Sequence, residues 1–355
     1  MATLAIQIKQ WGQQLGFQQV GITDTDLADA ETHLENWLNK KFHGEMDYMH
    51  RHGRKRSRPE LLHPGTLRII SVRMDYLPEP ISASNLQLTD SSSAYISRYA
   101  LGRDYHKLMR NRLQKLADKI CTETDTLQSN NLRAFVDSAP VLEKAIAEKA
   151  GLGWIGKHSN LIHRQAGSWF FLGELFTNLP LPIDKPTSAH CGKCRACLDI
   201  CPTQAIIAPY QVDARRCVSY LTIELHGSIP EQLRPLIGNR IYGCDDCQII
   251  CPWNRFAKLT GENDFNPRHR LNTLQLLEVF NWTEAEFLAK TEGSAIRRIG
   301  YHRWLRNIAV ALGNAPGSTL IVDALKAKLD HESEMVREHV LWALRRNNLY
   351  HPTIE

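Results

Sequence analysis

Hydrophobic residues in the first 180 positions follow two periodicities in turn. Spacings of three and four residues predict helices at four places: residues 2–15, 27–40, 104–121 and 141–150. Short apolar runs predict strands at four others: residues 17–22, 67–75, 132–136 and 169–176. The polar, Ser- and Pro-rich residues 78–93 predict a loop, and the prolines of residues 179–186 predict a linker. Helices alternating with strands indicate an α/β domain over residues 1–180.

The pattern from residue 261 to residue 355 is helical throughout and rich in Leu, Ala and Trp. Ala311-Leu312 and Ala343-Leu344 stand 32 residues apart (343 minus 311), each closing an apolar helical stretch. This is a weak signal of a two-helix repeat of the α-solenoid type. Because unrelated helices fit the same periodicity, the pattern alone predicts only a helical C-terminal domain.

Eight of the nine cysteines lie between these regions, in residues 181–260. The first four follow the spacing C-x2-C-x2-C-x3-C-P, the iron–sulfur run of bacterial ferredoxins. The last three repeat this run without its first cysteine, and Cys217 can supply the missing ligand. Because the fourth cysteine of each run ligates the other cluster, the spacing predicts two [4Fe–4S] clusters with crossed ligands. One set is Cys191, Cys194, Cys197 and Cys251, and the other is Cys201, Cys217, Cys244 and Cys247.

Other uses of the cysteines fit less well. Thiolate zinc sites usually have two separated C-x-x-C pairs, whereas the first run has three cysteines in close succession. Disulfides are disfavoured because the first residues lack the basic region and long apolar core of a secretory signal, so we expect a reduced, cytoplasmic protein. Cys121, the ninth cysteine, lies on an apolar helical pattern and is predicted to be a buried structural thiol.

Composition and charge narrow the class of protein only modestly. With 355 residues, 43% of them hydrophobic and 23% charged, the chain fits two or three soluble domains. No apolar stretch approaches the ~18 residues needed to cross a bilayer. The net charge of +5 permits a polyanionic partner without requiring one.

Two clusters of basic residues could bind a nucleic acid. Residues 51–58 hold five cations and no acid. The second cluster has four arginines: Arg297, Arg298, Arg303 and Arg306. Either cluster could contact phosphates, but a solvated basic face explains each of them as well. Trp304 and Trp342 could stack on bases, although a place in the helical core is the simpler interpretation.

Two segments of the N-terminal region carry candidate chemistry. Asp137 follows a predicted strand, and ligands of open α/β sheets bind at such a strand end. Asp137 or Ser138 could equally cap the next helix, with Pro140 in its first turn. Residues 151–160 are rich in glycine and hydrogen-bonding side chains, so their backbone could approach a large flat or anionic ligand. Their spacing excludes a Walker A loop. Gly151, Gly153 and Gly156 do match G-x-G-x-x-G, but they follow a predicted helix, whereas a dinucleotide fingerprint needs a strand, and an ordinary turn is the alternative.

Several motifs taken together resemble the epoxyqueuosine reductase family over essentially the full length of the chain. They are the two cysteine runs, Gly102-Arg-Asp-Tyr-His106, Val136-Asp-Ser-Ala-Pro-Val141, Gly153-Trp-Ile-Gly-Lys157, and Gly243-Cys-Asp-Asp-Cys-Gln248 with Cys251-Pro-Trp-Asn254. Many ferredoxins share the cysteine runs alone, but the combination is much more specific.

The resemblance implies an oxidoreductase that performs the last step of queuosine synthesis on tRNA. Such an enzyme removes the epoxide oxygen of epoxyqueuosine at the wobble position of GUN anticodons, using two [4Fe–4S] clusters and cobalamin. The cobalamin is expected to be base-off, because the D-x-H-x-x-G motif of enzymes that bind cobalamin through a protein histidine is absent: Met109 stands where Asp104 and His106 would require glycine. The implied architecture is a mixture of α/β and α+β: a cobalamin-binding α/β domain at 1–180, a ferredoxin-type module at 181–260, and HEAT-like tRNA-binding helices at 261–355. A cytoplasmic monomer and an electron donor such as flavodoxin or ferredoxin are also implied.

Residue roles follow from the same resemblance. Asp137 is expected to protonate the leaving oxygen, because an alkoxide is a poor leaving group, and such an acid needs a raised pKa. The four arginines of the second basic cluster are expected to contact tRNA. The residues expected around the cobalamin are Arg58, Tyr99, Asp104, Tyr105, His106, Asp137, Lys157, His158, Ser159 and Asn160.

Two other functions stay open at this point. A cobalamin-dependent reductive dehalogenase acting on small molecules would need neither the basic clusters nor the helical tail. A non-catalytic electron carrier, in which a ferredoxin is fused to a binding domain, would make Asp137 and the glycine-rich segment structural. Uptake of cobalamin distinguishes such a carrier from the enzymes.

Overall fold

The computed structural model describes residues 1–124 and 132–347. In the N-terminal part, helices α1 to α7 span Ala2–Gln14, Ala28–Asn39, Tyr48–Arg51, Pro59–Leu62, Ile81–Thr89, Tyr105–Glu123 and Glu143–Lys149. Strands β1 to β7 span Gln19–Thr23, Arg68–Asp75, Tyr95–Ile96, Leu132–Phe135, Trp154–Ile155, Leu161–Ile162 and Phe170–Thr177.

A four-stranded sheet in the order β1-β2-β7-β4 forms the centre of this part. All of its neighbouring strands pair antiparallel. Strands β2 and β7 are buried along nearly their whole length, because α1 and α6 pack on one face and α7 packs on the other. The mixture of helices and strands is as predicted. The sheet is not the parallel kind, however, so the strand-end rule for parallel sheets does not explain the position of Asp137.

The predicted helices and strands of this part are confirmed to within two residues at each end. Residues 78–93, predicted as a loop, are the exception, because they contain α5. The polar side chains of α5 bind the buried Arg98: its Nε donates to Ser84 Oγ at 2.7 Å and its Nη1 to Gln87 Oε1 at 2.8 Å. A distant buried cation stabilises this helix, so local periodicity could not predict it.

The cysteine-rich segment is built from short elements. Helices α8 to α11 span Ala196–Ile200, Val218–Ile223, Arg234–Ile237 and Asp246–Ile249. Strands β8 to β10 span Ile206–Ala208, Gln211–Val212 and Arg240–Tyr242. Helix α8 packs against α11, and β10 pairs in parallel with β3, which attaches the segment to the N-terminal part.

Helices α12 to α16 form the C-terminal part and span Leu276–Phe280, Glu284–Lys290, Gly300–Asn314, Thr319–Lys326 and Glu334–Arg346. Helices α14 and α16 pack so closely that a Cβ on Gly313 would come within 2.5 Å of the Trp342 ring. Trp304 and Trp342 are both buried, which confirms their place in the core. A HEAT-like repeat stays a prediction, and residues 348–355 of the predicted domain lie outside the described residues.

One hydrophobic core runs from the cysteine-rich segment into the C-terminal helices. It joins Tyr220 and Ile241 to Trp304 and Leu344, and it includes Ile96 from the N-terminal part. Residues on both sides of the predicted domain boundaries at 180 and 260 thus pack in one core. The boundaries themselves stay a prediction. Among the described helices, none is both long and apolar enough to cross a membrane.

Candidate active site

Asp137 follows β4, and its backbone and carboxylate are both held in place. Its φ of +41° lies in the left-handed region, which residues other than glycine rarely adopt. The Tyr105 hydroxyl donates to Asp137 Oδ2 at 2.6 Å, and His106 Nε2 lies 3.0 Å from the same oxygen. The side chain is 47% exposed because it faces a cavity. The carboxylate is therefore fixed on one side and open to a ligand on the other.

A chain of charged groups extends behind Asp137. His106 Nδ1 lies 2.6 Å from Asp104 Oδ1, and this oxygen also accepts the backbone N–H of His106 as the N-cap of α6. Arg298, just before α14, forms an ion pair with Asp104 at 2.5 Å. Asp104 thus orients the imidazole toward Asp137, and an arginine from the C-terminal part balances its charge.

These contacts set the protonation of the site. Burial opposes ionisation of Asp137, but hydrogen bonds from His106 and Tyr105 outweigh it and lower the pKa of the carboxyl. Burial likewise opposes a charge on His106, but its hydrogen bonds to Asp104 and Asp137 raise the pKa of the imidazole above 6.5. Despite its own burial, Asp104 has a pKa lowered to about 2 by hydrogen bonds from His106. The expected raised pKa at Asp137 is therefore wrong, and the proton of the Asp137–His106 pair rests on the imidazole.

Two glutamates beside Asp137 do favour their protonated forms. Burial, reinforced by the negative charge of Asp137, raises the pKa of Glu143 to about 8. Glu143 Oε2 accepts the backbone N–H of Asp137 at 3.0 Å, so the two acids are neighbours. Glu174, paired with Phe135 across the sheet, is fully buried, and burial raises its pKa well above the usual range.

A cavity of about 500 Å³ joins Asp137 to four of the cysteines. Its polar lining includes Asp137, Glu143, Lys144, His158 and Asn160, and its aromatic lining includes Tyr76, Tyr99, Tyr105, Phe170 and Phe171. The four cysteines are Cys201, Cys217, Cys244 and Cys247. The lining of this cavity therefore includes both an acid and the thiols of one predicted cluster.

A second cavity, of about 240 Å³, is lined by the remaining four cysteines of the two runs: Cys191, Cys194, Cys197 and Cys251. The structure thus groups the eight thiols into the same two sets as the crossed-ligand pattern. Each set provides the four thiolates that a [4Fe–4S] cluster requires. Trp253 and His190 pack at the edge of this cavity, with their ring centroids 5.9 Å apart.

Single turns of chain connect the two sets of thiols. Cys197 and Cys201 are four residues apart on α8 and its C-cap, and Cys247 and Cys251 are four residues apart where α11 ends. In a helix such neighbours are about 6 Å apart. The Ala205 N–H donates to Cys201 Sγ at 3.2 Å, the kind of bond that tunes cluster potentials.

Comparison with known proteins agrees with this geometry. A family model of a 4Fe-4S double cluster binding domain matches residues 190–254, and one described as Epoxyqueuosine reductase QueG, DUF1730, matches residues 56–138. Epoxyqueuosine reductase of Pseudomonas aeruginosa is 62% identical over 347 residues, which cover 98% of this chain and 95% of that protein. The chain belongs to the epoxyqueuosine reductase family.

Solved structures of epoxyqueuosine reductases have the same fold. One, with a tRNA-Tyr epoxyqueuosine-modified stem loop, has a TM-score of 0.85 at 26% identity and covers 97% of this chain and 90% of its own. Another, from Bacillus subtilis with its catalytic aspartate loop swung out of the active site, has a TM-score of 0.81 at 26% identity, with the same coverage. Within this family member, residues 190–254 form an iron–sulfur domain.

The residues expected around a cobalamin occupy several different places. Tyr99, Tyr105, Asp137, His158 and Asn160 line the large cavity, whereas Asp104 and His106 lie one layer behind Asp137. Lys157 lies at the smaller cavity, where its Nζ donates to the carbonyl oxygens of Gly192 and Cys194 at 2.6 and 2.9 Å. Ser159, with a φ of +68°, accepts a hydrogen bond from Lys144 at its carbonyl oxygen.

The glycine-rich segment itself forms the hairpin of β5 and β6. A Cβ on Gly153 would lie 2.2 Å from the carbonyl oxygen of Ile162. Glycine is therefore required at this position by packing within the protein, which agrees with the turn interpretation. The ligand interpretation applies to the side chains that follow, at His158 and Asn160.

One of the four arginines expected at tRNA is wrongly assigned. Arg306 is fully buried, and its guanidinium donates to the carbonyl oxygens of three residues: Leu221, Leu225 and Gly227. A buried guanidinium bound to backbone carbonyls cannot reach a phosphate. Arg303 also donates to backbone carbonyls, and Arg298 pairs with Asp104, whereas Arg297 is exposed.

Side chains of the first basic cluster, residues 51–58, also form hydrogen bonds and ion pairs within the protein. Arg58 forms a bidentate pair with Glu31, with both bonds at 3.0 Å, and it does not line the large cavity, where a cobalamin contact was expected. Arg56 is buried and donates to the carbonyl oxygen of Tyr48.

Cys121 is half-buried, so the predicted burial of this thiol is incomplete.

Sequence reasoning missed Glu143, Lys144 and Glu174. A visible signal existed for Glu174, because it is an acid within the otherwise apolar strand Phe170–Thr177. Glu143 and Lys144 follow Asp137 closely but look like the first turn of a surface helix, so nothing local marks them. The pairing of Arg298 with Asp104 joins residues 194 positions apart and has no local signal either.

Proposed function

We propose that this protein reduces epoxyqueuosine to queuosine at the wobble position of tRNA. Membership of the family and the tRNA-bound structure of a relative support this substrate. The observation that carries the proposal is the shared cavity, whose lining includes Asp137 and the thiols of Cys201, Cys217, Cys244 and Cys247. Protons and electrons can therefore be supplied to one bound substrate by groups that line the same cavity.

Conversion of an epoxide to an alkene consumes two electrons and two protons and releases the oxygen as water. Both carbon–oxygen bonds break, so the oxygen must be protonated as it leaves. We assign the first proton to Asp137, which receives it from His106 across the 3.0 Å contact. The catalytic aspartate loop of the Bacillus subtilis relative supports an aspartate in this role.

Glu143 is the proposed source of the second proton. It lines the same cavity, and its hydrogen bond to the backbone of Asp137 keeps it beside the first donor. Burial leaves it protonated at neutral pH, with a pKa of about 8. Its proton is therefore available after Asp137 has given up the first one.

Cobalamin is proposed as the cofactor of the large cavity. The lining fits a large flat ring that carries amide groups: it offers the rings of Tyr99 and Tyr105, the carboxamide of Asn160, and the buried His158 Nε2, which has no hydrogen-bond partner among the described residues. When bound, cobalamin supplies a cobalt centre of low potential that can reduce a strained carbon–oxygen bond. The base-off form is proposed with it.

Several further features belong to the same proposal. Arg297, exposed before α14, is the arginine of the second basic cluster best placed for a tRNA phosphate. Arg298 and Arg303 remain proposed contacts only if RNA draws them from their present partners. A HEAT-like C-terminal domain, a cytoplasmic monomer and a flavodoxin or ferredoxin donor complete the proposal.

Nucleoside analysis of tRNA tests the function. Cells lacking this gene should accumulate epoxyqueuosine, and the wild-type gene should restore queuosine. Asp137→Asn keeps the size of the side chain but cannot carry the proton, so it should not restore queuosine. Asp118→Asn, on the exposed side of α6, is the matched control and should restore it. Normal queuosine in the deletion strain, or full rescue by Asp137→Asn, would refute the proposal.

A further inference from the structure

The two sets of cysteines differ in their access to solvent. The first set, Cys191, Cys194, Cys197 and Cys251, lines the smaller cavity, and the second set is Cys201, Cys217, Cys244 and Cys247. Cys194 is the exposed cysteine of the eight, whereas the other seven are buried or half-buried. The second set lines the cavity that also holds Asp137. Because single turns of chain join the two sets, a cluster held by the first set would lie next to one held by the second set and would reach the surface at Cys194. Electrons from outside therefore have their shortest entry at Cys194.

The surface around Cys194 is positively charged. Lys193 and Arg195 flank this cysteine and are exposed, and Arg255, also exposed, lines the cavity of the first cluster. Lys157 adds a fourth positive charge beneath the loop, where its Nζ binds the carbonyl oxygen of Cys194. Asp199 is the neighbouring acid, and it pairs with Arg195 at 3.6 Å. The side chains around the cluster cysteines therefore sum to about three positive charges, four cations against one acid.

An exposed apolar group lies beside these charges. The Phe256 side chain is 39% exposed, and the Arg255 guanidinium lies over its ring at 4.6 Å. The Phe256 ring also approaches Trp253, at the edge of the smaller cavity, with centroids 6.1 Å apart. An apolar contact within a charged rim is typical of protein–protein interfaces, and electron-transfer encounters use small ones.

We propose that Lys193, Cys194, Arg195, Arg255 and Phe256 form an entry face, on which an acidic one-electron carrier protein docks. This inference rests on the proposed function, which needs two electrons per substrate. In each encounter the carrier loses one electron and the first cluster gains it, so two encounters supply one turnover. Positive charge on the entry face steers an acidic carrier to the cluster edge.

Anaerobic stopped-flow reduction of the reconstituted enzyme tests the entry face without any tRNA. The variant is Lys193→Glu with Arg255→Glu, and the probe is a reduced recombinant flavodoxin. We expect the bimolecular rate constant for cluster reduction to fall about tenfold or more at low ionic strength, because the steering charge is reversed. The dissociation constant of oxidised flavodoxin, measured by titration, should rise in parallel. Both differences should shrink at about 0.5 M salt.

Two controls separate docking from damage. Lys115→Glu with Lys119→Glu makes the same change of charge on exposed positions of α6, about 15 Å or more along the helix from Tyr105, and should leave both measurements unchanged. Photoreduced deazariboflavin, a small uncharged reductant, should reduce the clusters of all three proteins at the same rate. Slower reduction by deazariboflavin in the entry-face variant would show cluster damage and overturn the inference.

Two other outcomes also count against the entry face. If flavodoxin reduces the entry-face variant as fast as the control variant, no acidic carrier docks there. If the variant instead loses affinity for unmodified tRNA while flavodoxin kinetics stay the same, the surface is an RNA contact. Because these measurements follow cluster reduction and binding alone, a failure of the proposed tRNA reaction would not affect them.

Discussion

The protonated state of Glu143 makes stability depend on pH in a measurable way. Its pKa is about 8 in the folded protein, against 4.5 for the free side chain, because burial and the charge of Asp137 disfavour the carboxylate. Between these two values the folded state binds more protons than the unfolded chain, so stability falls as pH rises. The loss of stability is complete above pH 8. Below pH 4.5, Glu143 is protonated in both states and does not change the stability.

The size of this loss follows from the two pKa values. Each pKa unit corresponds to about 1.4 kcal/mol, so the difference between 4.5 and about 8 corresponds to about 5 kcal/mol. Water in the cavity screens part of it, and we expect about 2–3 kcal/mol at pH 9. Glu143→Gln removes the titration but keeps a side-chain oxygen that can accept the Asp137 N–H. The variant should therefore match the wild type at pH 5 and be more stable at pH 9.

Thermal unfolding of the reconstituted protein under anaerobic conditions measures this difference. Glu148→Gln is the matched control, since Glu148 lies on the same helix and likewise accepts a backbone N–H, from Ile155 at 2.7 Å. We expect the Tm of Glu143→Gln, relative to that of Glu148→Gln, to rise by a few degrees between pH 5.5 and pH 9. Parallel Tm profiles for the two variants would show that Glu143 is ionised at neutral pH, and the second-proton assignment would fail with it.

Three further predictions concern the ligands, the imidazole and the buried arginine. Cys251→Ala should lower the bound iron to less than half of the wild-type content, because Cys251 shares a single turn with Cys247, a ligand of the other cluster. The control Cys121→Ala should keep its iron. Equal iron contents in the two variants would contradict the crossed arrangement. The rate of epoxyqueuosine reduction by the wild type should fall as pH rises through the pKa of His106, which is raised above 6.5. His106→Gln should lose this descending limb of the pH–rate profile. An unchanged limb would show that His106 is not part of the proton path. Arg306→Met should lower the free energy of unfolding by about 3–5 kcal/mol, because it leaves buried carbonyl groups without a donor. Arg297→Met, at an exposed position, should change the Tm little. Similar Tm values for the two variants would contradict a structural role of Arg306.

Local sequence determined those features whose physical cause is local. Helix and strand positions in the N-terminal part follow from helical spacing and from short apolar runs, and the strands β2 and β7 are such runs because both of their faces are buried. The cysteine runs fix their ligand type because cluster geometry demands that spacing. Helix α5 was missed because its polar residues are stabilised by Arg98, whose position depends on the tertiary fold. Strand direction was missed for the same reason, since periodicity carries no information about pairing partners.

The charge state of the candidate site was beyond sequence reasoning. A raised pKa for Asp137 follows if burial alone is considered, and burial does act in that direction. Two donors from the first turn of α6 outweigh it, and one of them, His106, is itself oriented by Asp104. Arg306 shows the same limit, because a cation in a basic cluster looks like a phosphate contact until its carbonyl partners are known.

The position of Arg298 links the C-terminal helices to the proton path. Its guanidinium pairs with Asp104 Oδ2 and lies 3.0 Å from His106 Nδ1, although it belongs to the segment just before α14. The preceding residue, Arg297, is exposed and could bind a phosphate. Such a phosphate would be bound by the residue adjacent in sequence to Arg298, which pairs with Asp104. Withdrawal of Arg298 would leave Asp104 with His106 as its remaining charged partner and would strengthen the hold of the two acids on the imidazolium proton. If RNA binds at Arg297 as proposed, its binding site and the proton beside Asp137 are connected through Arg297 and Arg298, so the C-terminal helices and the acid site have to be considered together.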